Sequence, residues 1–168
     1  MSLSQNTWRY NADGLLLQSI TTDKGSLSYL QVFRDGSLEY GDSYVLELNG
    51  KGAIASAILE SKIIQTFEKA LSLLKLLEVP EPIFATLTLL DVKGCVMALP
   101  SNRPFLKYES DPFDRDIILC PDVLIQNTSE GGPYPSTLRP IVDSVWQAAG
   151  LGYTPYTDSK LNWVPRGE

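Results

Sequence analysis

The chain has 168 residues, 43% of them hydrophobic and 20% charged, and this composition is that of one globular domain with a buried core. Because the net charge is −6 and the Lys and Arg residues are scattered, the sequence excludes tight nucleic-acid binding through a basic patch. The chain has no histidine, which excludes serine–histidine and cysteine–histidine catalysis and histidine-bound zinc.

The first third of the chain predicts a loop at 8–14, a short strand at 15–21 and then a β-hairpin. Asp35-Gly36 is typical of a two-residue type I′ turn, here joining strands at 28–34 and 37–41. That register puts Leu30 and Val32 on one face with Glu39. It puts an aromatic set on the other face: Tyr29, Phe33, Leu38 and Tyr40. Such a face predicts core or interface, with a ligand platform as the alternative.

A long amphipathic helix is predicted from Ser56, as N-cap, to about Leu77. Its apolar side chains recur at helical spacing: Ile63, Phe67, Leu71 and Leu74. The opposite side is predicted to face solvent: Gln65, Glu68, Lys69, Ser72 and Lys75. Pro80 and Pro82 end the helix, because proline neither donates in it nor lets the preceding residue stay helical.

The middle of the chain predicts buried strands. Residues 83–90 are predicted to form one strand, and a turn at 91–94 is predicted to join this strand to 95–99 in a second hairpin. Residues 116–126 read as another strand, in which Pro121 indicates an edge position or a bulge. Cys95 and Cys120 lie in these apolar runs, and we expect buried, reduced thiols.

The last helix is predicted to start at a Ser136 cap and to stop at Gly150 in a left-handed conformation. Its apolar stripe comprises Ile141, Val142, Val145, Trp146 and Ala148 or Ala149. Tyr153, Tyr156 and Trp163 follow on an irregular arm, and we expect these rings to pin the arm to the core. A ligand pocket, a neighbouring domain or a twofold mate are the alternatives for what the arm contacts.

This order of elements predicts an α+β fold, a two-layer domain whose mostly antiparallel sheet comes from hairpins and carries two main helices on one face. We expect a single domain over 4–167, excised from the C-terminal part of a longer protein, with 1–3 and 168 contributed by an expression vector. In the absence of a signal peptide or a membrane-length apolar run, we expect a cytoplasmic location and no membrane contact.

The acidic run at 109–116 holds four carboxylates, Glu109, Asp111, Asp114 and Asp116. Calcium binds such oxygens, but the spacing is not that of an EF-hand, and a solvated loop is the prediction. No residue set in the chain forms a catalytic constellation, so we expect no enzyme activity, no catalytic residue, no cofactor and no metal.

Several segments, taken in order, resemble the C-terminal region of bacterial Schlafen/AlbA-type DNA-binding proteins, often described as ATP-binding. They are 29–39, the helix leading into 77–82, 87–94, 116–124 and 138–150. The resemblance implies that a nucleic-acid or nucleotide-binding module lies N-terminal to this chain and outside it, so it assigns no binding residue here.

The resulting hypothesis is a non-catalytic accessory domain of a bacterial transcriptional regulator, serving dimerisation or regulation. Its partners would be the N-terminal module or a second copy, with no direct nucleic-acid contact by this domain. The alternative is a small-molecule sensor with an aromatic-lined pocket. The candidate ligand or interface residues for both are Tyr29, Phe33, Tyr40, Tyr153, Tyr156 and Trp163.

Overall fold

A computed structural model describes residues 6–19, 28–43, 45, 52–99, 109–126, 134–158 and 162–164, so both chain ends named above lie outside it. The α+β prediction is confirmed: antiparallel sheets combine with two long helices, as in a two-layer α+β domain. Neither of these helices is both long and apolar enough to cross a membrane.

The N-terminal sheet, which we call the meander, has four antiparallel strands in sequential order. They are β1 (Asn6–Tyr10), β2 (Gly14–Ser19), β3 (Ser28–Phe33) and β4 (Leu38–Asp42). In the turn between β1 and β2, Oδ1 of Asn11 accepts the backbone N–H groups of Asp13 and Gly14. The predicted loop at 8–14 is therefore wrong at its start, because Trp8, Arg9 and Tyr10 pair with β2.

The β3–β4 hairpin differs from the prediction by one residue of register. The backbone N–H of Phe33 donates to the carbonyl of Ser37, and the N–H of Gly36 donates to the carbonyl of Phe33. The loop therefore has three residues, 34–36, and Gly36 is left-handed with φ 88°. A three-residue loop of this kind adds a bulge that a two-residue turn lacks. One residue of slip moves side chains to the other face.

The predicted grouping of Tyr29, Phe33, Leu38 and Tyr40 on one face is therefore wrong. Val32 stands opposite Leu38 and Leu30 opposite Tyr40, so these four share a face. Tyr29 and Phe33 lie on the reverse face, together with Glu39.

Helix α1 (Ser56–Leu76) confirms the long-helix prediction, and its predicted solvent side is exposed. Ala55, not Ser56, occupies the N-cap position. The short strand β5 (Ala53–Ile54) leads into α1 and pairs in parallel with β8 (Val96–Met97).

Residues 83–90 form two short strands that pair antiparallel with a later part of the chain. Strand β6 (Ile83–Ala85) pairs with β10 (Val123–Ile125), and β7 (Thr88–Leu90) pairs with β9 (Ile117–Leu119). The predicted second hairpin is wrong, because β8 pairs with β5 and not with β7. The turn after β7 forms backbone hydrogen bonds with residues 113–116. We call β6, β7, β9 and β10 the ribbon.

The ribbon contains a bulge at the predicted proline. Ala85 pairs with Val123 and Thr88 with Leu119, so two residues stand between the two pairs on one side and three on the other. The extra residue falls at Pro121 or Asp122, and this confirms the bulge prediction.

Helix α2 (Tyr134–Ala148) starts two residues before the predicted Ser136 cap. Its predicted apolar stripe is buried, with Trp146 at its centre. Gly150 ends the helix at φ 83°, and Leu151 donates to the carbonyl of Trp146 while Gly150 donates to that of Gln147. This pattern is a Schellman motif and confirms the predicted glycine stop.

Candidate functional site

The six predicted ligand or interface residues lie in separate parts of the structure. Tyr29 and Phe33 lie on one face of the meander and Tyr40 on the other. Tyr153 is exposed on the C-terminal arm, whereas Tyr156 and Trp163 on the same arm are buried in the core. The rings therefore do not line one common pocket.

A buried carboxylate fixes the arm. Glu60 on α1 is 1% exposed, and its Oε1 accepts hydrogen bonds from Nε1 of Trp146 at 2.7 Å and from Oγ1 of Thr154 at 2.6 Å. Its Oε2 accepts one from Nε1 of Trp163 at 2.6 Å. Three donors thus surround the carboxylate, and two of them come from the arm.

Burial raises the pKa of Glu60 above its usual value, and the hydrogen bonds from Thr154, Trp146 and Trp163 oppose the rise. The neighbouring charge of Asp143 adds to it. A buried carboxyl with a raised pKa is a candidate general acid or base, but proton transfer requires contact with a substrate. Because Glu60 is 1% exposed, its role in this arrangement is structural.

A second polar contact lies one helical turn before Glu60. The hydroxyl of Ser56 donates to the carbonyl of Ala98, and Oγ of Ser56 lies 2.8 Å from the hydroxyl of Tyr156. Since Ser56 has one hydroxyl proton, Tyr156 donates to Ser56 in this pair. The Ser56 side chain therefore joins the arm to the residue directly after β8, and makes no capping hydrogen bond to α1.

The sequence carried a signal for Glu60 that the periodicity argument missed. Glu60 precedes Ile64, Phe67 and Leu71 at the spacing of the buried helix face. A carboxylate on an apolar stripe requires buried donors, and the two tryptophans and Thr154 supply them.

The meander carries an apolar surface that the sequence reading also missed. Directly opposite residues in an antiparallel sheet share a face, so two rows of four side chains lie together. We call this surface the meander face; it consists of Trp8, Leu17, Leu30 and Tyr40 in one row and Tyr10, Leu15, Val32 and Leu38 in the other.

The meander face is uncharged and largely open. Trp8 is 66% exposed and Tyr10 is 75% exposed, and their rings meet edge to face with centroids 6.0 Å apart. Of the eight residues, only Leu38 packs against the main hydrophobic core. The reverse face of the sheet is mostly polar, with Thr7, Arg9, Gln18, Gln31 and Glu39 among its residues.

Helix α1 and the residues after it hold one edge of this face. Nζ of Lys62 lies 2.9 Å from Oδ2 of Asp42, which also accepts the hydroxyl of Tyr40 at 2.7 Å. At the other end of β4, a methyl group placed on Gly36 would lie 3.1 Å from Cγ2 of Val79. The helix therefore flanks β4, whereas Trp8 and Tyr10, on β1 at the opposite edge of the sheet, are exposed.

The ribbon has a second exposed apolar surface. Alternate residues along its two strands point away from the core, and five large ones are exposed: Phe84, Leu90, Ile117, Leu119 and Leu124. Leu119 is 74% exposed and Phe84 is 70% exposed. We call these five the ribbon face; exposed Asp122 at the bulge interrupts it.

The acidic run is exposed, as predicted for a solvated loop. Glu109, Asp111, Asp114 and Asp116 all face solvent, and Asp114 pairs with its neighbour Arg115 at 3.2 Å. Among the described residues, no group of three or more His, Cys, Asp or Glu side chains is arranged to hold a metal ion.

Both cysteines are free thiols; Cys120 is buried, as predicted, and Cys95 is half-buried. Burial raises the pKa of the Cys120 thiol to about 11, against the opposing effect of a hydrogen bond with Ser144. Because the thiolate is the reactive form, Cys120 is protected from nucleophilic and redox chemistry at neutral pH.

Comparison of the chain with protein-family models, with curated proteins and with solved structures finds no significant match.

Proposed function

We propose that this chain is a non-catalytic interaction domain, serving dimerisation or regulation, of a cytoplasmic bacterial DNA-binding regulator of the Schlafen/AlbA type. The family assignment rests on the ordered segments that resemble the C-terminal region of those proteins. The interaction role rests on one structural observation, the open and uncharged meander face.

The size of that face supports the role. Aromatic side chains offer about 150–250 Å² each, so the exposed parts of Trp8, Tyr10 and Tyr40, with the half-buried aliphatic residues, amount to about 500 Å² of apolar surface. The largest apolar patch on a monomeric protein is about 300–600 Å² and often marks a binding site. The meander face falls in that range on one sheet.

The charge of the chain supports a companion role to a nucleic-acid-binding module. A net charge of −6 opposes phosphate backbones, and exposed carboxylates line the 109–116 loop. DNA contact would then belong to the N-terminal module that the family resemblance implies, while this domain sets how copies or modules associate.

The test is to fuse the chain to a small DNA-binding module that occupies a palindromic operator only when two copies are held together. We expect the fusion to bind the operator at least about tenfold more tightly than the module alone, because linked sites raise the effective concentration. An operator affinity equal to that of the isolated module, with the fused domain folded by circular dichroism, would contradict the proposed function.

A further inference from the structure

We propose that the meander face is the self-association surface of this chain and that a second copy of the chain covers it. In this arrangement, which rests on the proposed interaction role, the two sheets stack face to face across a twofold axis. Trp8 and Tyr10 of each copy then pack on Leu15, Leu17 and the rings of the other.

The charge distribution favours a second copy on this face. Each copy carries a charge of −6, so self-association requires a contact free of unpaired carboxylates. The eight residues of the meander face are uncharged, and Asp42 at its corner is neutralised by Lys62 at 2.9 Å. Glu39 and Arg9 belong to the reverse face, so neither charge enters the stacked surface.

The contact would bury a small area. Two faces of about 500 Å² bury about 1,000 Å² in total, which lies at the lower limit for a specific interface and below the standard of about 1,600 Å². The area therefore predicts a weak dimer that dissociates on dilution.

The shape of the face also matches a second sheet. Four strands spaced by about 4.8 Å make a surface roughly 19 Å wide, whereas one helix is about 10–12 Å across. Apolar side chains extend over all four strands, so a twisted sheet of the same width covers them more completely than one helix does.

The ribbon face is less suited to twofold pairing. Asp122 is exposed at the bulge between Leu119 and Leu124, and a twofold axis through that region would place two carboxylates near each other. The ribbon face therefore serves as a comparison surface in the test below.

Two neighbouring residues on the edge strand β1 provide matched variants. Trp8→Glu places a carboxylate on the meander face, and Thr7→Glu places the same group on the reverse face of the same strand. Both side chains are exposed, so neither change should disturb folding, which circular dichroism and thermal melting verify. Leu119→Glu tests the ribbon face.

Sedimentation velocity over a concentration series measures the dimer dissociation constant of each variant. We expect Trp8→Glu to weaken dimerisation by about tenfold or more, because tryptophan is among the residue types that carry most of the binding energy of an interface. We expect Thr7→Glu and Leu119→Glu to change the dissociation constant by less than about twofold, through screened charge repulsion alone.

Tryptophan fluorescence gives an independent readout, because Trp146 and Trp163 are buried and Trp8 is exposed. We expect acrylamide quenching to fall as the protein concentration rises, and this dependence to vanish in Trp8→Phe. A dimer that tolerates Trp8→Glu would overturn the assignment of the surface and leave the proposed function standing. A wild-type chain that stays monomeric, with an operator-binding fusion that gains nothing, would overturn both.

Discussion

Trp163 donates a 2.6 Å hydrogen bond from its indole nitrogen to Oε2 of Glu60, although 103 residues separate the two in the chain. The other carboxylate oxygen accepts from Trp146 and Thr154. Both oxygens thus face donors, and a side chain that brings a donor of its own to either position meets an unfavourable contact.

Replacing Glu60 by Gln tests this arrangement. The amide keeps one acceptor oxygen, but its NH₂ group then faces an indole or hydroxyl donor, and one buried donor loses its partner. We expect a loss of about 1–3 kcal/mol in the free energy of unfolding, measured by urea titration. Glu68→Gln on the exposed side of α1 is the matched control and should change it by less than about 0.5 kcal/mol.

The coupling between Glu60 and Trp163 is measurable by a double-mutant cycle. Trp163→Phe removes the indole donor while keeping most of the ring, so it should cost less stability in the Glu60→Gln background than in the wild type. Additive effects of the two changes would show that this hydrogen bond does not link α1 to the arm.

The raised pKa of Glu60 predicts a specific pH dependence. Because burial raises the pKa above the usual 4.5, the folded chain binds the proton more tightly than the unfolded chain does. Glu60 therefore contributes stability that is fully present below pH 4.5 and is lost as pH rises through the folded-state pKa. We expect the wild type to lose stability relative to Glu60→Gln over this window, in urea titrations at successive pH values. A constant difference would contradict the shift.

Gly150 should be intolerant of a side chain. Its φ of 83° is left-handed, and an added Cβ would lie 2.6 Å from Oδ2 of Asp111. We expect Gly150→Ala to lower the free energy of unfolding by about 1–2 kcal/mol. Gly152→Ala is the control, because a Cβ there meets nothing within 4 Å, and a loss as large as that of Gly150→Ala would argue against the backbone explanation.

Cys120 should resist alkylation in the folded protein. With the pKa of its thiol at about 11, the thiolate is scarce at pH 8, and iodoacetamide should modify it about a hundredfold more slowly than a free cysteine. Mass spectrometry after timed labelling distinguishes Cys120 from Cys95, and urea should abolish the protection. Rapid labelling of Cys120 without denaturant would contradict its burial.

The helices were the most predictable part of this fold. The periodic apolar positions of α1 and the glycine after α2 act locally, so the sequence pattern alone locates them. The bulge at Pro121 was predictable for the same reason, since proline cannot donate to a ladder.

Long-range pairing was not predictable in this way. The ribbon joins β6 and β7 to β9 and β10, and the turn at 91–94, β8 and the acidic run at 109–116 lie between these two segments in the chain. No local signal selects 117–125 as the partner of 83–90. The hairpin register depended on whether Asp35-Gly36 forms a two-residue or a three-residue loop, and both loops accept these residues.

The candidate surface was missed for a related reason. The sequence pattern predicts a loop at Trp8 and Tyr10, and only the strand pairing aligns them with Leu17 and Leu15.

The Glu60 cluster also has a consequence for biosynthesis. During translation, Glu60 leaves the ribosome about a hundred residues before Trp163, at a rate of about 5–20 residues per second. For several seconds the nascent chain holds a carboxylate on the apolar side of α1 without the donors that allow it to be buried. The helix therefore cannot reach its final packing until Trp163 has been made, and a product terminated before Trp163 would lack the donor to one oxygen of this buried carboxylate.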